Sequence, residues 1–185
     1  MTTDVSSPPP FSHRVKVGQI SHNALEVHIE ANAVERGALA RLWEIVGVEA
    51  LSADLKLRRW KKDGVRVFGT VHAEATQACV VTLDPVSEVI DEELDEIFVP
   101  EGSPLARIAA NDQGEIVIDP DGPDLPGSFT GDTIDVGAIV SEIVSMALDP
   151  YPRKPGVAFT NHVEGDPEEV SKPSPFAVLK SLKGE

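Results

Sequence analysis

The feature that most constrains the fold is a pair of long alternating segments on either side of Asp63-Gly64. Apolar residues occupy every second position from residue 51 to 57, and again from residue 65 to 75. Alternation with a period of two is typical of a β-strand with one buried face. An Asp-Gly pair between two such segments is typical of a tight turn. The pattern therefore predicts a long antiparallel hairpin.

Three further segments have strand-like patterns. Alternation over residues 13–20 and 25–30 predicts two half-buried strands. Residues 86–99 predict another strand, although the acidic run from Asp91 to Glu96 leaves a helix open as an alternative there. With the two helices described next, the pattern predicts the α+β class. The expected architecture is an antiparallel, strongly bent β-meander with two main helices, a disordered acidic loop and a disordered C-terminal tail.

Two segments have helical periodicity. Asn32 and Glu35 form a capping-box pattern that opens the first helix, and Gly47 is expected to end it. The apolar ridge expected to face the core is Val34, Ala38, Leu42 and Val46, widened by Leu39 and Ile45. The second helix is expected to start at Asp135 and to stop before Pro150. Its predicted buried residues are Val136, Ile139, Val140, Ile143, Ala147 and Leu148.

A chain of 185 residues has room for one ordinary domain with tails. We expect a flexible leader at 1–12, a single α+β domain at 13–152, and a tail at 153–185. An acidic loop is expected at 100–133, in which residues 115–119 have the composition of a short edge strand. No apolar run reaches the roughly 18 residues that span a bilayer, and the first residues contain no signal-peptide core. These features predict a cytoplasmic protein without membrane contact.

The charge of the chain is unevenly distributed. The net charge is -15, and 15 acidic residues between Asp84 and Asp135 face a single base, Arg107. Between residues 56 and 66, six bases and one acid give a local charge of +5. The acidic stretch is either a solubilising loop or a docking face for a basic partner. The overall negative charge argues against nonspecific coating of nucleic acid.

The basic segment is the candidate RNA-binding site. Lysine and arginine neutralise phosphates, and an aromatic plane can stack on an unpaired base. The candidate residues are Lys56, Arg58, Arg59, Trp60, Lys61, Lys62 and Arg66. The alternative is a solvated hairpin tip, where the same charges protect exposed strand edges from aggregation.

No pattern of catalytic or metal-binding residues is present in the sequence. It contains no nucleophile elbow, no glycine-rich phosphate loop and no H-E-x-x-H helix. His28 and His72 fall on polar strand faces and are expected to be solvated. The single cysteine, Cys79, excludes a multi-cysteine zinc cage and is expected to be a small buried residue. We therefore expect no enzymatic activity, no metal and no cofactor.

The C-terminal motif at 175–183 is an apolar island in a polar tail. Ser174 and Pro175 suit the start of a short helix of about two turns. Its candidate partner-binding residues are Phe176, Val178, Leu179 and Leu182. Either the motif is tethered and binds a partner groove, or it folds back onto the domain.

Residues 69–86, 134–152 and 175–183 together resemble the YceD family of large ribosomal RNA subunit accumulation proteins, in its alphaproteobacterial form. The resemblance implies a non-enzymatic factor that supports synthesis, processing or stability of 23S ribosomal RNA. The implied partners are that RNA or its precursor, and ribosomal or RNA-processing proteins. Other branches of the family place a second cysteine three positions after the first. Thr82 stands there in this chain, so a metal-binding role is not carried over.

A second function class is a protein adaptor that does not touch RNA. It would use the acidic segment and the C-terminal motif to bind basic or apolar protein surfaces. Salt dependence separates the two classes, because RNA contacts release counterions and lose affinity steeply as salt rises.

Overall fold

The predicted hairpin around Asp63-Gly64 forms the centre of the sheet. The computed structural model describes residues 9–21, 23–106 and 125–157. The chain forms two compact units, residues 1–154 and 155–185, and all the strands and helices named here belong to the first unit. The strands are β1 (Arg14–Lys16), β2 (Leu25–Glu30), β3 (Gly47–Trp60), β4 (Gly64–Ala78), β5 (Pro85–Pro100), β6 (Gly127–Phe129) and β7 (Thr133–Asp135). The helices are α1 (Ala33–Leu42) and α2 (Val136–Ala147), with 3-10 turns at Val17–Gln19 and Pro104–Ala106.

The strands form a mostly antiparallel five-stranded sheet and a two-stranded one. The larger sheet has the order β2-β3-β4-β5-β6, in which only β6 runs parallel to its neighbour. Trp60 pairs with Gly64 at the tip, and Gly47 pairs with Thr76 at the far end. β1 and β7 pair separately. The α+β class is therefore confirmed, and the run from Asp91 to Glu96 is part of strand β5 rather than of a helix.

The core lies on one face of the larger sheet. The alternating apolar residues of β3 and β4 are buried there, including Leu55, Leu57, Val65 and Val67. α1 packs on β3, and α2 packs on β4 and β5. Each fully buried aliphatic side chain contributes roughly 1.5–3 kcal/mol. The opposite face of the sheet carries the polar residues of the alternation, which makes it the surface on which a binding site can form.

The first helix opens as predicted but buries another face. Asn32 and Glu35 form the complete capping box. The predicted ridge was wrong for Val34, which is 80% exposed, Leu42 at 56% and Val46 at 61%. Leu39 and Ile45, expected to widen the ridge, do pack on the core, and Ala40 is buried beside them. An apolar stripe shows that a helix is amphipathic, but it does not fix which side of a broad stripe faces the core. Here the helix is rotated so that the side with Leu39 and Ala40 faces the sheet.

The first helix also ends earlier than predicted. It stops at Leu42, and Glu44 takes the left-handed conformation with φ 55°. The amide of Ile45 donates to the carbonyl of Ala40 at 3.0 Å, which closes a Schellman turn. Glu44 thus occupies the position that glycine usually fills, and Gly47 instead begins β3.

The second helix and the end of the leader fold together. Asp135 caps α2, and Val136, Val140 and Val144 are fully buried. Predicted core residues Ile139 and Ile143 are only partly buried. Phe11, placed in the leader by the sequence, is buried in the core. The described end of the leader is therefore part of the fold, and the rest of it lies outside the described residues.

Two more segments differ from the predicted strand boundaries. The strand expected over residues 13–20 is short, because the chain turns into a 3-10 helix at Val17–Gln19. The range expected as acidic loop contains β6, a strand too short to show periodicity. Residues 115–119 lie outside the described residues.

Candidate functional site

The polar face of the hairpin presents cations around an aromatic ring. Arg58 on β3 pairs in register with Arg66 on β4, and Lys56 pairs with Phe68. The guanidinium of Arg58 lies 5.6 Å from the centroid of the Phe68 ring, and that of Arg66 lies 5.5 Å from it. Both distances are within the range of cation–π attraction. Phe68 therefore holds two guanidinium groups together on an open surface.

Sequence reasoning did not select Phe68 as a site residue. The available signal was its position in the alternation: Val67 is buried, so an aromatic side chain at residue 68 points to the polar face. A half-buried aromatic residue on a polar sheet face is unusual enough to mark a candidate contact.

Arg66 has a second partner on the neighbouring strand. Its Nε donates to Oδ1 of Asp95 at 2.6 Å, and its NH2 group donates to Oδ2 of the same carboxylate. This bidentate pair raises the pKa of Arg66 and holds the pKa of Asp95 below its usual range, with Arg58 adding a smaller charge effect on Asp95. Arg66 is thus part of this surface, but the carboxylate of Asp95 compensates most of its positive charge.

A second cation lies over an aromatic ring at the hairpin tip. The ammonium of Lys61 is 4.2 Å from the centroid of the Trp60 ring. Trp60 rests on Gly64, where an added Cβ would come within 2.7 Å of the ring. Trp60 is therefore a fixed platform that carries Lys61, rather than a ring open on both sides.

The remaining predicted residues divide between surface and scaffold. Lys56 forms an ion pair with Glu26 at 3.1 Å. Arg59 points to the other side of the sheet, and donates from Nε to the carbonyl of Ile20 and from NH2 to that of Val17, both at 3.0 Å. Within the described ranges, Arg58, Lys61 and Lys62 form no ion pair. These three residues are the cations that the surface leaves available.

The acidic strand β5 borders this surface. It carries six acidic residues and no base. Over the described residues, its outer edge is paired only at Phe98–Pro100, with β6. Charged side chains along an open edge prevent pairing with other strands, so part of the acidic charge protects the sheet. Glu92 and Glu93 are exposed on this edge.

The polar face also contains two histidine–aspartate pairs that were expected to be solvated single residues. Nδ1 of His28 lies 2.8 Å from Oδ1 of Asp54, and Nδ1 of His72 lies 2.6 Å from Oδ1 of Asp91. The hydrogen bond to Asp91 raises the pKa of His72. Both pairs are exposed cross-strand partners, and they help to fix the strand register.

Cys79 is buried as expected, but its surroundings were not visible in sequence. The backbone amide of Lys154 donates to Sγ at 3.4 Å. Hydrogen bonds from the Thr82 side chain, from the Lys154 amide and from the Thr82 and Val81 amides lower the pKa of the thiol to about 6. The donors come from a tight turn and from the segment after α2, 75 residues away, so neighbouring residue types gave no sign of them.

The described residues contain no group of three metal-ligating side chains placed to hold an ion. They also contain no helix long and apolar enough to cross a membrane. The C-terminal candidates Phe176, Val178, Leu179 and Leu182 lie outside the described residues, and their role stays a prediction.

The fold and this surface define an α+β protein with an open sheet face on which arginine and lysine side chains lie over aromatic rings. The family model described as Large ribosomal RNA subunit accumulation protein YceD matches residues 67–183, more than half of the chain. The chain therefore belongs to the YceD family, and its role lies in ribosome biogenesis through accumulation of large-subunit ribosomal RNA. No curated protein and no solved structure gave a significant match. The matched range starts after the seven predicted RNA-binding residues.

Proposed function

We propose that this protein supports accumulation of large-subunit ribosomal RNA as a non-enzymatic cytoplasmic factor that contacts the RNA directly through the hairpin surface. This surface consists of Arg58, Lys61, Lys62 and the Phe68 ring, supported by Trp60 and Arg66. The observation that carries the proposal is the placement of both Arg58 and Arg66 over one half-buried aromatic ring on the polar face.

Pre-orientation of the cations favours binding of phosphate groups. A guanidinium that lies over a ring loses less side-chain freedom when it binds, and its N–H groups remain available at the edge. Arg66 is held by Asp95, so its stem and the Phe68 ring form a fixed base beside Arg58. Lys61 is held in the same way over Trp60. Few phosphates are contacted by so small a surface, which predicts weak, salt-sensitive binding.

The acidic strand limits where RNA can lie. β5 is the next strand after β4, and its carboxylates repel phosphates. The RNA backbone is therefore expected to follow the β3–β4 hairpin and its tip rather than to cross β5. Because Arg58, Lys61 and Lys62 precede the matched family range, although Phe68 lies inside it, the contact is proposed for this chain and not for the family as a whole.

Charge reversal in the hairpin tests the proposal. The probe is a set of in vitro transcribed 23S ribosomal RNA fragments, with binding measured by filter retention between about 50 and 200 mM salt. We expect Lys62→Glu to weaken binding severalfold, and to reduce the slope of log affinity against log salt by about 0.7–0.9 for each lost phosphate contact. Phe68→Leu should weaken binding without a change in net charge.

The matched control is Arg41→Glu, which changes the net charge equally. Arg41 is an exposed residue in the last turn of α1, whereas Lys62 lies at the hairpin tip. Equal losses for Lys62→Glu and Arg41→Glu would show that only overall charge matters. If the Lys62→Glu and Phe68→Leu variants bind the RNA fragments as well as the parent at low salt, the basic segment is only a solvated hairpin tip.

A further inference from the structure

A second exposed surface lies at the end of β4 opposite to the hairpin tip. It consists of Val80, Leu83 and Tyr151, which we name the apolar end. Leu83 is 78% exposed, Tyr151 70% and Val80 39%. The 15 residues of β4 separate this end from the tip by about 50 Å. The two surfaces can therefore be tested independently.

The apolar end is rigidly built. The amide of Val80 donates to the carbonyl of Pro152 at 2.9 Å, which joins the turn after β4 to the segment after α2. The ammonium of Lys154 pairs with Asp84 at 3.1 Å across the same two segments. The amide of Tyr151 donates to Oδ1 of Asp149 at 2.8 Å. Such cross-links fix the positions of exposed side chains before any partner arrives, which lowers the entropic cost of binding.

Leu83 adopts a backbone conformation that leucine rarely takes. Its φ is 62°, and its amide donates to the carbonyl of Cys79 at 2.9 Å. A left-handed conformation is unfavourable for a residue with a side chain, because Cβ comes too close to the following carbonyl oxygen. Glycine would fit this turn with less strain, yet a large apolar side chain is held there and points into solvent. Strain that serves no packing is a mark of functional positions.

The charges around the apolar end indicate the chemistry of its partner. Asp84 and Lys154 compensate each other, so this pair adds no net charge to the apolar end. β5 starts directly after it and carries no base; Glu88 lies near this start, and the other five acidic residues follow at 91–96, further along the strand. Glu88, on this strand, accepts a hydrogen bond from the amide of Asp149 and so joins the acidic edge to the apolar end. An apolar anchor beside an acidic edge complements a basic protein with an apolar pocket.

We propose that the apolar end is a protein-docking surface for a basic protein, in which Leu83 and Tyr151 enter an apolar pocket and the start of β5, with Glu88, faces the basic rim of that pocket. The binding is separate from the RNA contact of the hairpin. Two copies of this chain do not fit the requirement, since both carry a net charge of -15 and would repel each other.

The test uses the full chain against individually purified large-subunit ribosomal proteins, which form a defined panel of basic proteins. Binding is measured by calorimetry or interferometry at low and physiological salt. At least one member should bind, and Leu83→Gly should weaken that binding by about 30-fold, the usual effect of losing an interface anchor. Because glycine suits φ 62°, Leu83→Gly should leave Tm within a few degrees and leave binding of 23S fragments unchanged.

A matched pair of variants distinguishes a role of this surface from a general effect of losing exposed apolar area. Tyr151→Ser should weaken binding, whereas Val34→Ser on α1, which also removes a highly exposed apolar side chain, should not. Absence of binding by every panel member would overturn the proposal. So would binding that survives both Leu83→Gly and Tyr151→Ser, or that falls equally with Val34→Ser.

Discussion

Arg59 donates to the carbonyl oxygen of Val17, 42 residues earlier in the chain, at a distance of 3.0 Å. The same guanidinium donates to Ile20, so one side chain closes the 3-10 segment onto the end of β3. Charged donors to backbone carbonyls are stronger than neutral ones. The most basic part of the sequence therefore contains a residue whose role is structural.

Replacement of Arg59 should reduce stability rather than RNA affinity. We expect Arg59→Ala to lower the free energy of unfolding by about 1.5–3 kcal/mol, because two carbonyl oxygens lose a charged donor. Arg59→Lys should not restore it, since an ammonium cannot reproduce the planar fork. Urea denaturation checks both values. Arg58→Ala is the control, with an expected loss below about 1 kcal/mol; equal losses for the two alanine variants would contradict this assignment.

Gly137 allows α2 to approach the chain before β1. A Cβ at this position would lie 2.7 Å from the amide nitrogen of His13 and 3.0 Å from the carbonyl of Phe11. We expect Gly137→Ala to destabilise the protein by about 1–3 kcal/mol, although alanine is the better helix former. The backbone of residues 11–13 would have to move, and Asp135 would lose its 2.8 Å contact to the His13 amide.

Gly37 in α1 provides the matched control for Gly137. A Cβ there would meet only the Arg41 guanidinium, at 4.0 Å. Gly37→Ala should therefore raise the free energy of unfolding by up to about 1 kcal/mol, through helix propensity alone. Thermal or urea unfolding of the two variants should give opposite signs; a stabilising Gly137→Ala would show that the close approach is not required.

Sequence reasoning succeeded where a pattern repeats over many residues. The alternation on both sides of Asp63-Gly64 gave the hairpin, and the capping box at Asn32 gave the start of α1. It failed for part of α1, because the exposed stripe with Val34 and the buried stripe with Leu39 are both apolar. Which stripe faces the core depends on how the helix sits on β3, and that is a tertiary property.

The candidate site was predictable in location but not in composition. The cluster of bases at residues 56–66 marked the hairpin, yet charge alone did not separate Arg59, which points to the core side, from Arg58, which stays exposed. Asp95 lies 29 residues from Arg66, so the pair that compensates this arginine exists only once β4 and β5 are in register. Long-range pairing of this kind has no local signature.

The pKa of His72 should be measurably above its ordinary value of 6.5. The hydrogen bond to Asp91 is the main cause, opposed by some desolvation and assisted by the charges of Asp91 and Glu74. Titration of the imidazole by NMR should give a midpoint above 6.5, and Asp91→Asn should move it down. The raised pKa stabilises the fold fully below pH 6.5 and ceases to do so as pH rises through the folded-state value. A midpoint unaffected by Asp91→Asn would contradict the assigned pair.

The titration of Cys79 should raise the stability of the protein as the pH rises from about 6 to 9, which is opposite in sign to the effect of His72. Its folded pKa of about 6 lies below the ordinary value of 9.0, because the Thr82 side chain and the amides of Lys154, Thr82 and Val81 donate hydrogen bonds to the sulfur. A lowered pKa in the folded state means that the unfolded chain binds more protons between pH 6 and 9. The stabilisation is therefore fully present above about pH 9 and is lost as pH falls through 6.

Removal of the thiol tests this pH dependence directly. Cys79→Ala adds a constant loss, because a buried side chain is shortened, and it also removes the titration. The difference in free energy of unfolding between parent and Cys79→Ala should stay constant below pH 6 and grow steadily from pH 6 to 9. Urea denaturation at a series of pH values measures it, and the contribution of His72 cancels because both proteins contain it. Thr82→Val, which removes the strongest donor but keeps the thiol, should shift the rise to higher pH. A difference that does not change with pH would mean that Cys79 stays protonated throughout, as an ordinary buried cysteine does.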